Sequence, residues 1–214
     1  MTCRLAIFDL DGTLADTFPW FVGALAEAAG HFGFNRPDAA EREHLRRCGT
    51  REILKRLDVP LLKVPTIARH MRAAKASALS AIPLFSGVDS MLRRLSDGGI
   101  RLAMVSSDSE ANVRATLGPV NASLIGDYAC EASLFGKPTH LRGVLKLSGV
   151  PARDAIYIGD EVRDADAARR VGIPFGAVTW GFAAPEALRA ANPAVMFASV
   201  AAIADLLVDE RLQF

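Results

Sequence analysis

The chain has 214 residues, half of them apolar, with 25 Lys and Arg against 24 Asp and Glu. That length carries one domain, or a core domain with a smaller insertion, and supplies enough apolar residues for a sizeable core. The balanced charge gives no global case for a nucleic-acid or anionic-membrane surface. No run is long and apolar enough to span a bilayer, and no signal peptide precedes the first apolar run, so the sequence reads as a soluble cytoplasmic protein. Cys3, Cys48 and Cys130 are widely spaced and odd in number. They read as reduced thiols.

The first element is a short apolar stretch, Leu5 to Phe8, which reads as a buried strand. It ends at once in Asp9-Leu-Asp-Gly-Thr-Leu14. Two carboxylates at the end of a buried strand are costly unless something pairs with them. Gly12 permits the sharp turn that lets the backbone leave the strand.

From Asp16 to Pro83 no strand pattern appears. Phe18 to Phe34, Ala39 to Arg47, Thr50 to Leu57 and Thr66 to Ala81 read as helices, punctuated by Pro37, Gly49 and Pro65. This stretch holds 11 Lys and Arg against 7 Asp and Glu, while the rest of the chain holds 14 against 17. Within it, Arg46, Arg47, Arg51 and Lys55 cluster around the Gly49-Thr50 turn. One of them, Arg51 in the first instance, is a candidate for holding a substrate anion. Phe18 and Trp20 follow the first motif closely and read as packing between the helical stretch and the rest of the chain. The four His residues, His31, His44, His70 and His140, show no paired spacing.

Beyond Pro83 the rhythm becomes helix, strand, helix, strand. Val88 to Leu95 is apolar at helical spacing and stops at Asp97-Gly98-Gly99. Leu102 to Val105, Ala155 to Ile158, Phe175 to Val178 and, more weakly, Ala194 to Phe197 read as strands. Asn112 to Leu117, His140 to Leu147 and Ala165 to Val171 read as helices. The alternation implies an α/β fold with a parallel sheet flanked by helices.

Three of these junctions carry chemistry. Val105-Ser106-Ser107-Asp108 places a hydroxyl at a strand end before a helix. There Ser106 can donate to a phosphate oxygen, and Ser107 or Asp108 can cap the helix. In Phe135-Gly-Lys-Pro138, Pro138 favours a helix start beyond Lys137. In Ile156-Tyr-Ile-Gly-Asp160-Glu-Val-Arg-Asp164, one helical turn separates Asp160 from Asp164, so both can lie on one side. Asp160, Glu161, Asp164 and Asp166 crowd within seven residues. Such crowding is easier to sustain beside a divalent cation, and oxygen donors suit Mg2+. Glu161 and Asp166 read as solvent-facing.

Together, in this order, the four segments resemble the signature motifs of the haloacid dehalogenase-like hydrolases, in the branch related to phosphoglycolate phosphatases. The resemblance spans essentially the whole chain. It implies a Rossmann-like core of residues 1–15 and 84–214, with residues 16–83 inserted as a helical cap. It implies Asp9 as phosphoryl-accepting nucleophile and Asp11 as general acid and base. Mg2+ would be held by Asp9, the Asp11 carbonyl and Asp160. Asp164 would support Lys137 or the metal, and Ser106 and Lys137 would neutralise the phosphate. Gly12, Thr13 and Ser107 become candidate substrate contacts. Asp11 separates the chain from the dehalogenase and phosphonate-hydrolase branches, which lack an Asp there. The expected activity is hydrolysis of a small phosphorylated metabolite. The alternatives are a phosphomutase of the β-phosphoglucomutase type and a non-catalytic binding module on the same fold. A module would be indicated by loss of Asp9, Asp11, Lys137 or Asp160, and all four are present.

Overall fold

In the computed structural model, residues 3–209 are described. Six strands, all parallel, form one sheet: β1 (Leu5–Phe8), β2 (Arg101–Val105), β3 (Ile125–Ala129), β4 (Ala155–Gly159), β5 (Phe175–Val178) and β6 (Val195–Phe197). Their order is β3-β2-β1-β4-β5-β6. The chain therefore winds one way from β1 and the other way from β4, and the crevice between these two strands is where such sheets bind ligands.

The helices are α1 (Phe18–Phe32), α2 (Ala39–Leu45), α3 (Thr50–Arg56), α4 (Val64–Ala76), α5 (Val88–Asp97), α6 (Glu110–Leu124), α7 (Lys137–Ser148), α8 (Val162–Val171), α9 (Pro185–Ala190) and α10 (Val200–Ala204). A π-helical turn, Asp205–Asp209, follows the last. Among the described residues no helix is long and apolar enough to cross a membrane.

The uninterrupted apolar runs of β1, β2 and β4 have a simple cause: both faces of the sheet are covered. Ala6, Phe8, Leu102, Met104, Ile156 and Ile158 face one layer, with α5 and α10 against it. Leu5, Ile7, Ala103, Val105, Ala155 and Tyr157 face the other, packed on α7, α8 and α9. Successive side chains alternate between the two layers, as the pleat requires.

Helices α1 to α4 lie between β1 and β2 and bury a separate, small core of Ala28, Ala29, Phe34, Leu45 and Leu57. The chain leaves and re-enters the sheet layer through two adjacent segments. Asp16 N donates to Pro83 O at 2.9 Å, and Phe85 N to Leu14 O at 2.9 Å.

The structure departs from the expected elements in several places, and helices α9 and α10 are additions to them. The expected helix from Thr66 to Ala81 is α4 plus a 3-10 turn over Leu79–Ala81. The short helix after Asp108 runs on to Leu124, broken at Gly118 (φ +72°), where Pro119 follows and denies the helix a backbone donor. Strand β3 is missing from the sequence reading. It is an edge strand of sequence Ile-Gly-Asp-Tyr-Ala, half-exposed and paired on one side only, so no apolar run marks it.

Candidate active site

The site is built at the ends of β1, β4 and β2 and the start of α7. Asp9 follows β1 and is buried; its Oδ1 accepts from the Leu10 backbone N–H at 2.8 Å. The next turn is tight: the Leu10 carbonyl accepts from the backbone of Thr13, Leu14 and Ala15. Gly12 adopts φ +75°, and a Cβ there would run into Asp160 Oδ2 and the Phe182 ring. Glycine is therefore required by both the backbone and the space around it.

Asp160 follows β4 and is fully buried. Thr13 Oγ1 donates to its Oδ1 at 2.8 Å and the Phe182 backbone N–H to its Oδ2 at 2.7 Å. Thr13 therefore orients Asp160. The Trp180-Gly181-Phe182 turn also holds the site by polar contacts. Its Phe182 amide holds Asp160, and Trp180 Nε1 donates to the Thr13 carbonyl at 3.1 Å.

Lys137, the first residue of α7, is buried between two carboxylates. Its Nζ lies 2.5 Å from Asp9 Oδ2 and 2.5 Å from Asp164 Oδ1. Asp164 is fully buried and also accepts from Tyr157 Oη at 3.1 Å and from Glu161 N at 3.1 Å. The electrostatics follow from this crowding. Burial raises Asp9 to about 6, with the Lys137 charge pulling the other way. Burial, then the charges of Glu161, Asp164 and Asp9, push Asp160 well above the usual carboxylate range. Asp164 is also penalised by burial, yet Lys137 and Arg163 carry it below its ordinary value. Lys137 itself is held above its ordinary value: burial opposes this and the two carboxylates overcome it.

Carboxylate oxygens of Asp9, Asp160 and Asp164 all lie within 4.8 Å of one another, and all three residues are buried. An all-oxygen anionic donor set of this kind fits a hard divalent cation, which would offset the mutual repulsion of these carboxylates. A second group, His44, Cys48 and Glu52, lies on the helical region with ligand atoms equally close. Glu52 there already pairs with Arg56 at 3.1 Å.

Ser106 is fully buried at the end of β2, and its Oγ accepts from the Asp108 backbone N–H at 3.1 Å. Asp11 is not part of the buried carboxylate group and pairs instead with the helical region. There the structure supplies a residue that the sequence reading does not single out. Lys75, near the end of α4 and only 3% exposed, places Nζ 2.5 Å from Asp11 Oδ1 and 2.7 Å from buried Asp108 Oδ2. Burial disfavours its charge, but Asp11 and Asp108 together hold it above the ordinary lysine value. A sequence signal for Lys75 exists. It continues the apolar stripe Ile67–Met71 at a spacing of four, where a charge is out of place unless it is paired. Arg72 on the same helix donates to the Ser107 carbonyl at 3.2 Å.

Lys75→Met leaves Asp108 buried without its ammonium. The expected loss is about 3 kcal/mol of unfolding free energy, read from urea denaturation, with faster proteolysis of residues 16–83. A variant as stable as the parent would show that this bridge contributes nothing.

Two sequence expectations place differently. Arg51 is exposed, with its guanidinium over the Phe135 ring at 5.7 Å, and it does not line the cavity above Asp11. Glu161 is half-buried against Arg163 rather than solvent-facing, since the Arg163 Nε donates to it at 2.8 Å. Asp166 does face solvent, paired with Arg169. Phe18 packs edge-on against Phe182, ring centroids 5.2 Å apart, as expected for packing between the helical stretch and the rest of the chain. Cys3, Cys48 and Cys130 are free thiols.

Comparison with known proteins agrees with this geometry. The family model described as haloacid dehalogenase-like hydrolase matches residues 6–178. A phosphoglycolate phosphatase of Synechococcus elongatus is 32% identical over 188 residues, covering 87% of this chain and 89% of that protein. The Mycobacterium tuberculosis tyrosine-protein kinase PtkA is 28% identical over 184 residues, which are 84% of this chain and 63% of that protein. The crystal structure of a Lactobacillus plantarum protein, provisionally named a phosphoglycolate phosphatase, superposes with a TM-score of 0.82 at 22% identity, covering 96% of this chain and 100% of that one. The match over most of the sequence, with the acidic strand ends and Lys137 gathered at one switch point, establishes that this chain belongs to the haloacid dehalogenase-like hydrolases.

Proposed function

We propose that the protein is a Mg2+-dependent phosphatase that hydrolyses a phosphorylated metabolite through an aspartyl-phosphate on Asp9, in the manner of phosphoglycolate phosphatases. The observation that carries this reading is the convergence of Asp9, Lys137, Asp160 and Asp164 in one buried cluster, with Asp11 one turn away and outside it.

Asp9 attacks phosphorus, and the bond between phosphorus and the ester oxygen breaks. Asp11 gives a proton to the departing oxygen, which leaves as the alcohol. Asp11 then takes a proton from the water that cleaves the acyl phosphate, and the Asp9 carboxylate and inorganic phosphate are regenerated. Lys137 and the Ser106 hydroxyl bind the phosphate oxygens and offset their growing charge, and in phosphoryl transfer such positioning supplies most of the catalysis. Mg2+, held by Asp9, Asp160 and the Asp11 carbonyl with Asp164 in support, would neutralise charge between the nucleophile and the phosphate. Residues 16–83 act as a cap over the site, tied to the core by Lys75.

The test is phosphate release from p-nitrophenyl phosphate with Mg2+ and with EDTA. Turnover that needs Mg2+ supports the reading, and a folded, Mg2+-loaded protein that releases no phosphate from any ester ends it. Asp160→Asn is expected to raise the Mg2+ concentration for half-maximal rate at least tenfold. An unchanged Mg2+ titration would remove Asp160 from the metal site.

A further inference from the structure

Beside its small core the helical region borders open space. Phe21 and Leu25 on α1, Ile53 on α3, and Ile67 and Met71 on α4 are apolar and carry the spacing of a helix core. None of the five is fully buried. They line one cavity of about 370 Å3 between the helices and the sheet. Apolar side chains left half-wet around a shared concavity mark a binding site more often than a packing fault.

The same cavity reaches the catalytic end of the sheet, where Asp11, Ser107 and Asp108 form part of its wall. This continuity fixes what enters it. The proposed acid, Asp11, must touch the oxygen that leaves phosphorus, so the group attached to that oxygen projects from Asp11 into the cavity. A two-carbon glycolate would occupy a small part of 370 Å3. The cavity wall also carries Arg42, Arg46 and Arg72 from the helical region, which donate to the backbone carbonyls of Pro37 at 3.1 Å, Phe182 at 3.0 Å and Ser107 at 3.2 Å. Lys75 is held by Asp11 and Asp108.

We infer that the preferred substrate is a phosphate monoester whose alcohol is bulky and largely apolar, seated among Phe21, Leu25, Ile67 and Met71. This inference rests on the phosphatase reading and narrows its substrate class. Displacing water from these side chains makes binding energy grow with the apolar area of the alcohol, and even one added methylene in such a pocket changes specificity by about 10-fold or more.

Three primary-alcohol esters of similar leaving-group basicity test it: ethyl phosphate, 2-phosphoglycolate and 3-phenylpropyl phosphate, each with Mg2+. The expected kcat/KM for 3-phenylpropyl phosphate exceeds both others by at least about 10-fold. Ala68→Trp, which fills the cavity from α4, should cut the ratio of 3-phenylpropyl to ethyl phosphate by a similar factor. Turnover with phosphoglycolate preferred, or with no dependence on alcohol size, overturns the apolar-substrate inference and leaves the phosphatase reading standing. An unchanged ratio in an Ala68→Trp protein of parental melting temperature also overturns it. Absence of turnover with all three esters and with p-nitrophenyl phosphate removes both readings together.

Discussion

Asp9→Asn is expected to abolish phosphate release, by a factor of about 10⁴ or more, while the protein remains folded. The amide has the shape of the carboxyl but cannot attack phosphorus. Its cost to the fold is small and has a definite origin. In the parent, one carboxylate oxygen accepts from the Leu10 N–H and the other from Lys137. Asparagine has one oxygen, so one of these donors faces an amide N–H, a loss of about 1–3 kcal/mol. Burial already disfavours the charged form of Asp9 and raises it to about 6, so removing the charge offsets part of that loss. Steady-state phosphate release and a thermal melt check the two halves of the prediction. A folded variant within tenfold of parental activity would exclude Asp9 as the nucleophile.

Lys137→Met is expected to fail in both respects. The ammonium lies between Asp9 and Asp164, all three side chains being at most 3% exposed. Methionine fills the space but leaves two buried carboxylates facing each other. Removing one partner of a buried ion pair costs about 3–5 kcal/mol, and urea unfolding in EDTA should show a loss of that size. A divalent cation binding the folded state should recover part of it by mass action. Lys137→Arg should not restore activity, because a planar guanidinium cannot stand where a compact ammonium meets two carboxylates from different elements. Parental stability of Lys137→Met in EDTA would mean that this pair does not hold the site together.

The two variants differ because the two residues stand in different relations to the fold. Asp9 leaves the sheet at the end of a strand buried on both faces, and the turn after it is held by its own backbone. Lys137 ties together carboxylates from two other elements of the chain. Its partner Asp9 is 128 residues away and Asp164 is 27.

The positive balance of residues 16–83 is partly spent within the molecule. Arg47 pairs with Glu43 and Glu186, and Arg56 with Glu52 and Glu41. Arg51, the cation that sequence order brought forward, stacks over Phe135 instead. Proximity to a turn in the sequence carries no information about which face of a short helix looks into the site. Lys75 shows the converse. Its charge interrupts an apolar stripe, which is legible, but its partners Asp11 and Asp108 lie on other elements and could not be read from it.

The residues alone determined the central strands, the acidic and hydroxyl-bearing strand ends, the order of the motifs and the helical stretch after the first of them. Each of these is a local effect: apolar runs where a strand is buried on both faces, Gly and Pro where the backbone must turn, carboxylates where a strand ends. Only the tertiary structure decided the edge strand β3, the Lys75 bridge, the Phe182 amide that holds Asp160 and the apolar cavity above Asp11. These depend on which distant segments are brought within hydrogen-bonding or packing distance. Such interactions fall off over a few ångströms in space and keep no regular spacing along the chain.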